Sequence, residues 1–186
     1  MIFGIFGFIF LLAIVFMFMY NGLVRKKNAV SNAFASIDVM LKKRLDLIPN
    51  LIETVKAYMK HERELLTEVT KLRSQAMKPD ISPEQKIALE GKISSGMRGI
   101  MVAVENYPDI KANQNFLELQ GSFNEVEEQI SASRRAYNAA VNDYNNSVEM
   151  FPSNILAGMI GYKVKDFFEI PEEERKNISA KDLFAS

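Results

Sequence analysis

The sequence predicts an all-α protein: an N-terminal transmembrane helix followed by an antiparallel bundle of three to four long helices with coiled-coil-like seams. Three observations predict it. The first 24 residues carry no charge, and Ile2 to Tyr20 is a near-unbroken apolar run. Beyond that run, apolar residues recur every three or four positions with no sustained two-residue alternation, which is the period of a helix and not of a strand. The six prolines, Pro49, Pro79, Pro83, Pro108, Pro152 and Pro171, fall where periodic segments stop, as expected of a residue that lacks an N–H and clashes with the preceding turn. The chain divides into an anchor at 1–24, a helical bundle at 25–151, and an apolar segment with a C-terminal tail at 152–186.

A helix over residues 2–20 rises about 28 Å, the thickness of one hydrocarbon core. Thirteen of these residues are Ile, Leu, Phe or Val, and each favours insertion by roughly 0.3–0.6 kcal/mol. A cleaved signal peptide is the rival reading. It needs a basic leading region and a small-residue cleavage site, and neither stands around Tyr20-Asn21-Gly22. Arg25, Lys26 and Lys27 follow the span, and Lys42, Lys43 and Arg44 come a few turns later. Under the positive-inside rule these cations put the helical domain in the cytoplasm and the N-terminus outside. The inverted topology stays open, because so short a leading tail gives the rule little to compare.

The next segment carries Val30, Phe34, Ile37, Leu41 and Leu45 and is expected to end at Pro49. A second carries Leu51, Val55, Tyr58, Glu62, Leu65, Val69, Leu72 and Ala76 in an alternating four-three register. The third carries Leu89, Ile93, Met97, Ile100 and Val104. Ser82, Pro83 and Gln85 announce its start as a capping box with proline in the first position. The fourth runs from Gln114 to Phe151, about 57 Å at helical rise, and is longer than its neighbours. It either bends near Gly121 or overhangs them, and an overhang leaves apolar seam for a second copy of the chain to cover. Antiparallel helices return the chain to the membrane near Phe151. There Ile155, Leu156, Met159, Ile160 and Tyr162 form a segment too short to span but apolar enough to lie in the interface. Capping the open end of the bundle is the equal alternative.

Composition excludes several chemistries. There are 23 Lys+Arg against 23 Asp+Glu, one His and no Cys. Zero net charge argues against nucleic-acid binding by bulk positive charge. The absence of Cys removes disulfides, thiolate metal sites and cysteine nucleophiles, and one His cannot build a multi-histidine centre. His61-Glu62 is followed by Leu65 and not by a second His, so the zinc-protease motif fails. Gly91-Lys92 lacks the upstream glycine of a phosphate loop. Gly91, Gly96 and Gly99 mark close helix packing or a weak stretch. No catalytic constellation, cofactor site or metal site is recognisable, and no small-molecule substrate is evident.

Polar residues on the seams are the remaining candidates. Gln120, Glu127, Arg134, Asn138 and Asn145 recur along the fourth helix at spacings of seven, seven, four and seven, with Asn142 near the same face. His61, Glu62 and Glu53 lie on the second helix, and Asp38, Arg44 and Asp46 on the first. Interhelical hydrogen bonds and ion pairs that fix register account for such layers better than a binding cleft does. His61, the lone imidazole, is expected inside the heptad seam, with Glu62 and Glu64 disfavouring an incoming phosphoryl group.

Several motifs resemble the LemA family. They open with Tyr20-Asn21-x-Leu23-Val24, then Lys27-Asn28-x-Val30 and Ile37-Asp38-Val39-x-Leu41. Arg44-x-Asp46-Leu47-Ile48-Pro49-Asn50-Leu51 and Val55-Lys56-x-Tyr58-x-x-His61-Glu62 follow. Tyr107-Pro108, Lys111-Ala112 and Phe116-x-x-Leu119-Gln120 continue the match, and Arg134-x-x-Tyr137-Asn138-x-x-Val141-x-x-Tyr144-Asn145 and Phe151-Pro152 close it. Phe34 stands where the family usually has Trp. The resemblance implies a bacterial single-span membrane protein with an antiparallel helical domain, and it brings no reaction with it. The function expected is a non-enzymatic, membrane-anchored scaffold at the cytoplasmic membrane. It self-associates as a homo-oligomer or recruits partners, its other partner being the lipid bilayer, which it shapes or organises. A signalling adaptor, working by phosphotransfer through His61 or beside a membrane kinase or protease, is the alternative.

Overall fold

The computed structural model describes residues 2–168, with the side chains of Pro83 and Glu84 outside the description. The expected charged tail at Glu172–Arg175 and Pro171 lie outside the described residues. Among the described residues all regular structure is helical: α1 (Ile2–Lys56), α2 (Arg63–Ala76), α3 (Pro83–Val104), α4 (Pro108–Lys111), α5 (Gln114–Glu149) and α6 (Ser153–Met159). They build two compact units, residues 2–43 with 125–167 and residues 44–124 with Phe168. Both α1 and α5 contribute to each unit.

In the first unit α1 and α5 pair antiparallel. Lys26 Nζ donates to the Asp143 carbonyl at 3.3 Å and to Ser147 Oγ, whereas Lys43 Nζ lies 3.8 Å from the Glu125 carboxylate. Leu23, Val30, Ile37 and Leu41 on α1 and Val126, Ile130, Tyr137, Val141 and Tyr144 on α5 are buried. The Phe34 and Tyr137 rings meet edge to face with centroids 6.0 Å apart. Phe34 thus fills its position with an aromatic contact, a geometry rings prefer to face-to-face stacking.

The second unit packs the end of α1, α2, α3, α4 and the start of α5 around one core. Ile48, Leu51, Val55, Met59, Val69, Ile93, Ile100, Ile110 and Phe116 are each nearly inaccessible. α2 and α3 approach closely at two glycines: a Cβ on Gly96 would stand 2.7 Å from Val69 Cγ2, and one on Gly99 3.3 Å from Leu65 Cδ1. A Cβ on Gly91 would meet open space, so the close-packing expectation holds at two of the three glycines. The expected capping box is present at the start of α3, with Gln85 N–H donating to Ser82 Oγ at 3.2 Å and Ser82 N–H to Gln85 Oε1 at 3.1 Å.

Two boundaries differ from the sequence expectation. Pro49 does not end a helix; it sits inside α1, which continues to Lys56. Without an N–H, Pro49 leaves the Leu45 carbonyl without its helical donor. Arg73 of α2 fills that vacancy, donating from Nε to the Leu45 carbonyl at 2.8 Å. The interruption falls instead at residues 57–62, and it displaces the seam only around it, while Val69 and Leu72 are buried as expected. Met59 and Leu66 are buried where Tyr58 and Leu65 were expected, and Tyr58 is exposed. Replacing Arg73 by Met is expected to destabilise the protein by about 1–3 kcal/mol, the cost of a buried acceptor left unsatisfied. Pro49→Ala restores the missing donor, so it is expected to recover most of that loss. Thermal denaturation of the two single variants and the double variant checks this.

On α5, Phe116, Phe123, Val126, Ile130, Tyr137, Val141 and Tyr144 are buried within one chain. No break interrupts α5 at Gly121.

Candidate functional site

The described features that lack a purely internal explanation lie where α1 leaves its apolar stretch. From Ile2 to Tyr20 the outer surface of α1 is uncovered: Phe3 is 93% and Phe10 68% exposed. None of its most apolar 18-residue window is buried within the protein. At Met19 and Leu23 this changes. Leu23 is closed over by Leu156 and Ala157 of α6, with Met19, Val148, Ile160 and Tyr162 around them.

The chain reaches this point through a sharp reversal. Tyr162 N–H donates to the Ala157 carbonyl at 2.9 Å and Gly161 N–H to the Gly158 carbonyl at 3.3 Å. That pair of bonds closes a helix C-terminus around a residue in the left-handed region. Gly161 occupies it at φ 73°, where a Cβ would be strained. The reversal sends Tyr162 back between α1 and α5. Its ring centroid lies 6.3 Å from that of Tyr144 and 4.8 Å from Lys27 Nζ. Asn145 then holds the following backbone in both directions, donating to the Lys165 carbonyl at 2.8 Å and accepting from the Lys165 N–H at 2.8 Å. Tyr137 adds a hydroxyl hydrogen bond to the Asp166 carbonyl at 3.4 Å. Burial raises the Tyr144 phenol above its ordinary value, and the neighbouring Tyr162 adds to the effect.

The apolar segment expected after Pro152 is thereby divided. Leu156 faces the protein interior, and Ile160 and Tyr162 are half-covered. Ile155 and Met159, one turn apart, are 58% and 72% exposed. Met150 and Phe151 extend that outer face at 62% and 79% exposure, and the apolar count alone did not single them out. Of the cations after the apolar run, Arg25 donates from Nε to the Asn21 carbonyl at 3.4 Å. Lys26 and Lys27 are also engaged, with α5 and with the Tyr162 ring.

The polar stripe is distributed unevenly. In the first unit Arg134 is buried at 5% exposure, Glu127, Asn138 and Asn145 are half-buried, and Asn142 is exposed. In the second, Gln120 and Glu62 are half-buried. His61 is exposed in the 57–62 interruption and stands outside the seam in which it was expected, because the helix stops before it. Glu62 accepts a hydrogen bond of 2.7 Å from the Tyr107 hydroxyl. That bond, together with partial burial and the Glu62 charge, raises the Tyr107 phenol above its usual value of 10.0. A raised phenol favours folding below the unfolded pKa, and the contribution is lost as pH climbs through the folded value. Glu62→Gln is expected to bring the Tyr107 titration back toward 10, read as tyrosinate absorbance difference against wild type.

The most enclosed polar group was only half visible in the sequence. Arg44, a candidate on the first helix, is 1% exposed. Its Nη1 donates to Ser94 Oγ at 2.7 Å and lies 3.2 Å from Glu90 Oε1. Ser94 in turn donates to Glu90 at 2.9 Å. Glu90 and Ser94 escaped the sequence reading, although a Glu three residues before Ile93 and a Ser one after it, on an apolar face, were the available signal. Among the described residues, no group of three or more His, Cys, Asp or Glu is placed to hold a metal ion.

These features define a class: a helical protein with one helix long and apolar enough to cross a membrane, joined to a domain of long packed helices. The chain belongs to the LemA family, whose model matches residues 33–181. It is 27% identical to Protein LemA of Metamycoplasma hominis, covering 91% of this chain and 79% of that one. It is also 24% identical to Magnetosome protein MamQ 2 of Paramagnetospirillum magneticum and 21% identical to Magnetosome protein MamQ of Magnetospirillum gryphiswaldense. The chain spans 64% of the length of each of these magnetosome proteins.

Proposed function

We propose that the protein is a non-enzymatic, membrane-anchored helical scaffold that meets the bilayer at two places. The division behind this reading is an anchor at 1–24, a helical domain at 25–151 and a membrane-proximal segment from 152. The carrying observation is α6: its inner face, Leu156 and Ala157, packs on Leu23, while Ile155, Met159 and the preceding Phe151 are exposed apolar groups beside the anchor's exit. Apolar side chains at that level gain by entering the boundary between headgroups and acyl chains. Lys163 and Lys165, exposed just beyond the turn, add attraction to anionic lipid. A scaffold held at two points presents its helices in a defined orientation, which suits recruitment of partners or association with further copies. The charge asymmetry of Arg25, Lys26 and Lys27 supports a cytoplasmic domain at the inner membrane. Similarity to magnetosome proteins is in keeping with membrane organisation.

The chain has no Trp, so Phe151→Trp creates a single reporter. In nanodiscs its emission is expected to shift to the blue and to be quenched by brominated lipid, while Trp at exposed Val102 is not quenched. An unquenched reporter at 151 removes the second contact. Full-length protein that stays monomeric in detergent across concentration counts against self-association. A signalling reading has one observation in its favour, the exposure of His61. His61→Gln that abolishes function with the fold intact revives it.

A further inference from the structure

The second unit carries a cleft of about 950 Å³ formed by the end of α1, the 57–62 interruption and the outer face of α2. Among the described residues five cations line it, Lys56, Lys60, Arg63, Lys71 and Lys78, and no acidic side chain does. Lys56 is paired with Glu53, and Lys71 lies 4.0 Å from Glu68. No ion pair among the described residues holds Lys60, Arg63 or Lys78. All five side chains are exposed. Their floor is aliphatic: Ile52, Met59 and Leu66.

This arrangement opposes the neutral balance of the whole chain. Like charges gathered on one face repel one another and raise the local concentration of anions. Arg63 and Lys71 follow one side of α2 at helical spacing, about 12 Å apart, and Lys78 lies just past the helix's C-terminal end. Cations above an apolar floor suit an amphipathic helix laid into a groove, with apolar anchors on the floor and acids against the rim. Among the described residues no aromatic side chain lines the cleft, so these residues offer no stacking platform of the kind single-stranded nucleic acids use. We propose that this cleft binds an acidic amphipathic helical segment of a partner protein. The proposal names the partner chemistry of the recruitment reading and rests on it. It is separable from that reading, because lipid contact at residue 151 and peptide binding at α2 are read by different signals.

The test titrates the full chain, in nanodiscs of zwitterionic lipid, into a fluorescein-labelled sixteen-residue peptide. That peptide has Leu at three- and four-residue spacing and Glu at the remaining positions, and anisotropy reports binding. Saturable binding is expected. High salt, or K60E/R63E/K78E, is expected to weaken it roughly tenfold or more, as for charge-complementary association. A peptide of identical composition with its Leu residues scattered around the helix is expected to bind roughly tenfold more weakly. Circular dichroism checks that the variant remains helical, and K60Q/R63Q/K78Q serves in its place should the reversed charges unfold it. Wild-type binding by these variants overturns the proposal. Equal binding of the scattered peptide, or equally tight binding of a labelled single-stranded oligonucleotide, also overturns it, by making the cleft a general polyanion site.

Discussion

Arg44→Met is expected to cost about 3–5 kcal/mol of stability, the price of breaking a buried ion pair from one side. Arg44 and Glu90 have side chains only 2% exposed each, 3.2 Å apart, with Ser94 bonded to both. Removing the guanidinium leaves the buried Glu90 carboxylate facing a methionine where a cation stood, and taking the countercharge from a buried charge is what makes such changes large. Substituting both, Arg44→Met with Glu90→Leu, is expected to recover most of the loss, since replacing a buried pair by apolar groups is often neutral or stabilising. Denaturant unfolding of the full chain in detergent, followed by circular dichroism, measures both. A single-variant cost below about 1 kcal/mol, the range of exposed pairs, would show that the pair is hydrated and does not act as a buried lock between α1 and α3.

Phe151→Glu combined with Met159→Glu is expected to release the membrane-proximal segment from lipid while the anchor stays inserted. Each wild-type side chain gains at most about 1.5–3 kcal/mol on full burial, and each Glu adds the cost of bringing a charge toward hydrocarbon. The sum is enough to move a contact from mostly bound to mostly free. Hydrogen exchange on nanodisc-embedded protein is the measurement: amides over residues 150–162 should lose their lipid-dependent protection, and those of the apolar stretch should keep it. Because Phe151 and Met159 are exposed, their replacement leaves the Leu23–Leu156 packing in place. Unchanged protection in the double variant would assign that protection to the internal packing of α6 alone.

Much of this was legible along the chain. Helical period and the apolar run need only neighbours within a turn or two, so α3, α5 and the long apolar stretch of α1 were readable, as was the Ser82–Gln85 box. The candidate site was less so. The segment after Pro152 was recognisable as apolar, but which side chains face outward depends on how α6 meets Leu23. Arg44 was noticed as a charged residue near the seam, whereas its partner lies 46 residues away in the chain and on another helix. His61 was assigned to a seam by register counting, and register counting fails once a helix is interrupted.

The sequence by itself determined an all-helical chain with one membrane-length apolar helix and basic residues at its exit, because these follow from local period, length and charge. Only the tertiary structure decided that Pro49 lies within a helix while residues 57–62 break one. At Pro49 a long-range hydrogen bond offsets the loss, since Arg73 satisfies the carbonyl that proline leaves open. It alone decided that Leu156 turns inward while Phe151, Ile155 and Met159 remain exposed, since that choice is made by the shape of the surface α6 lies against.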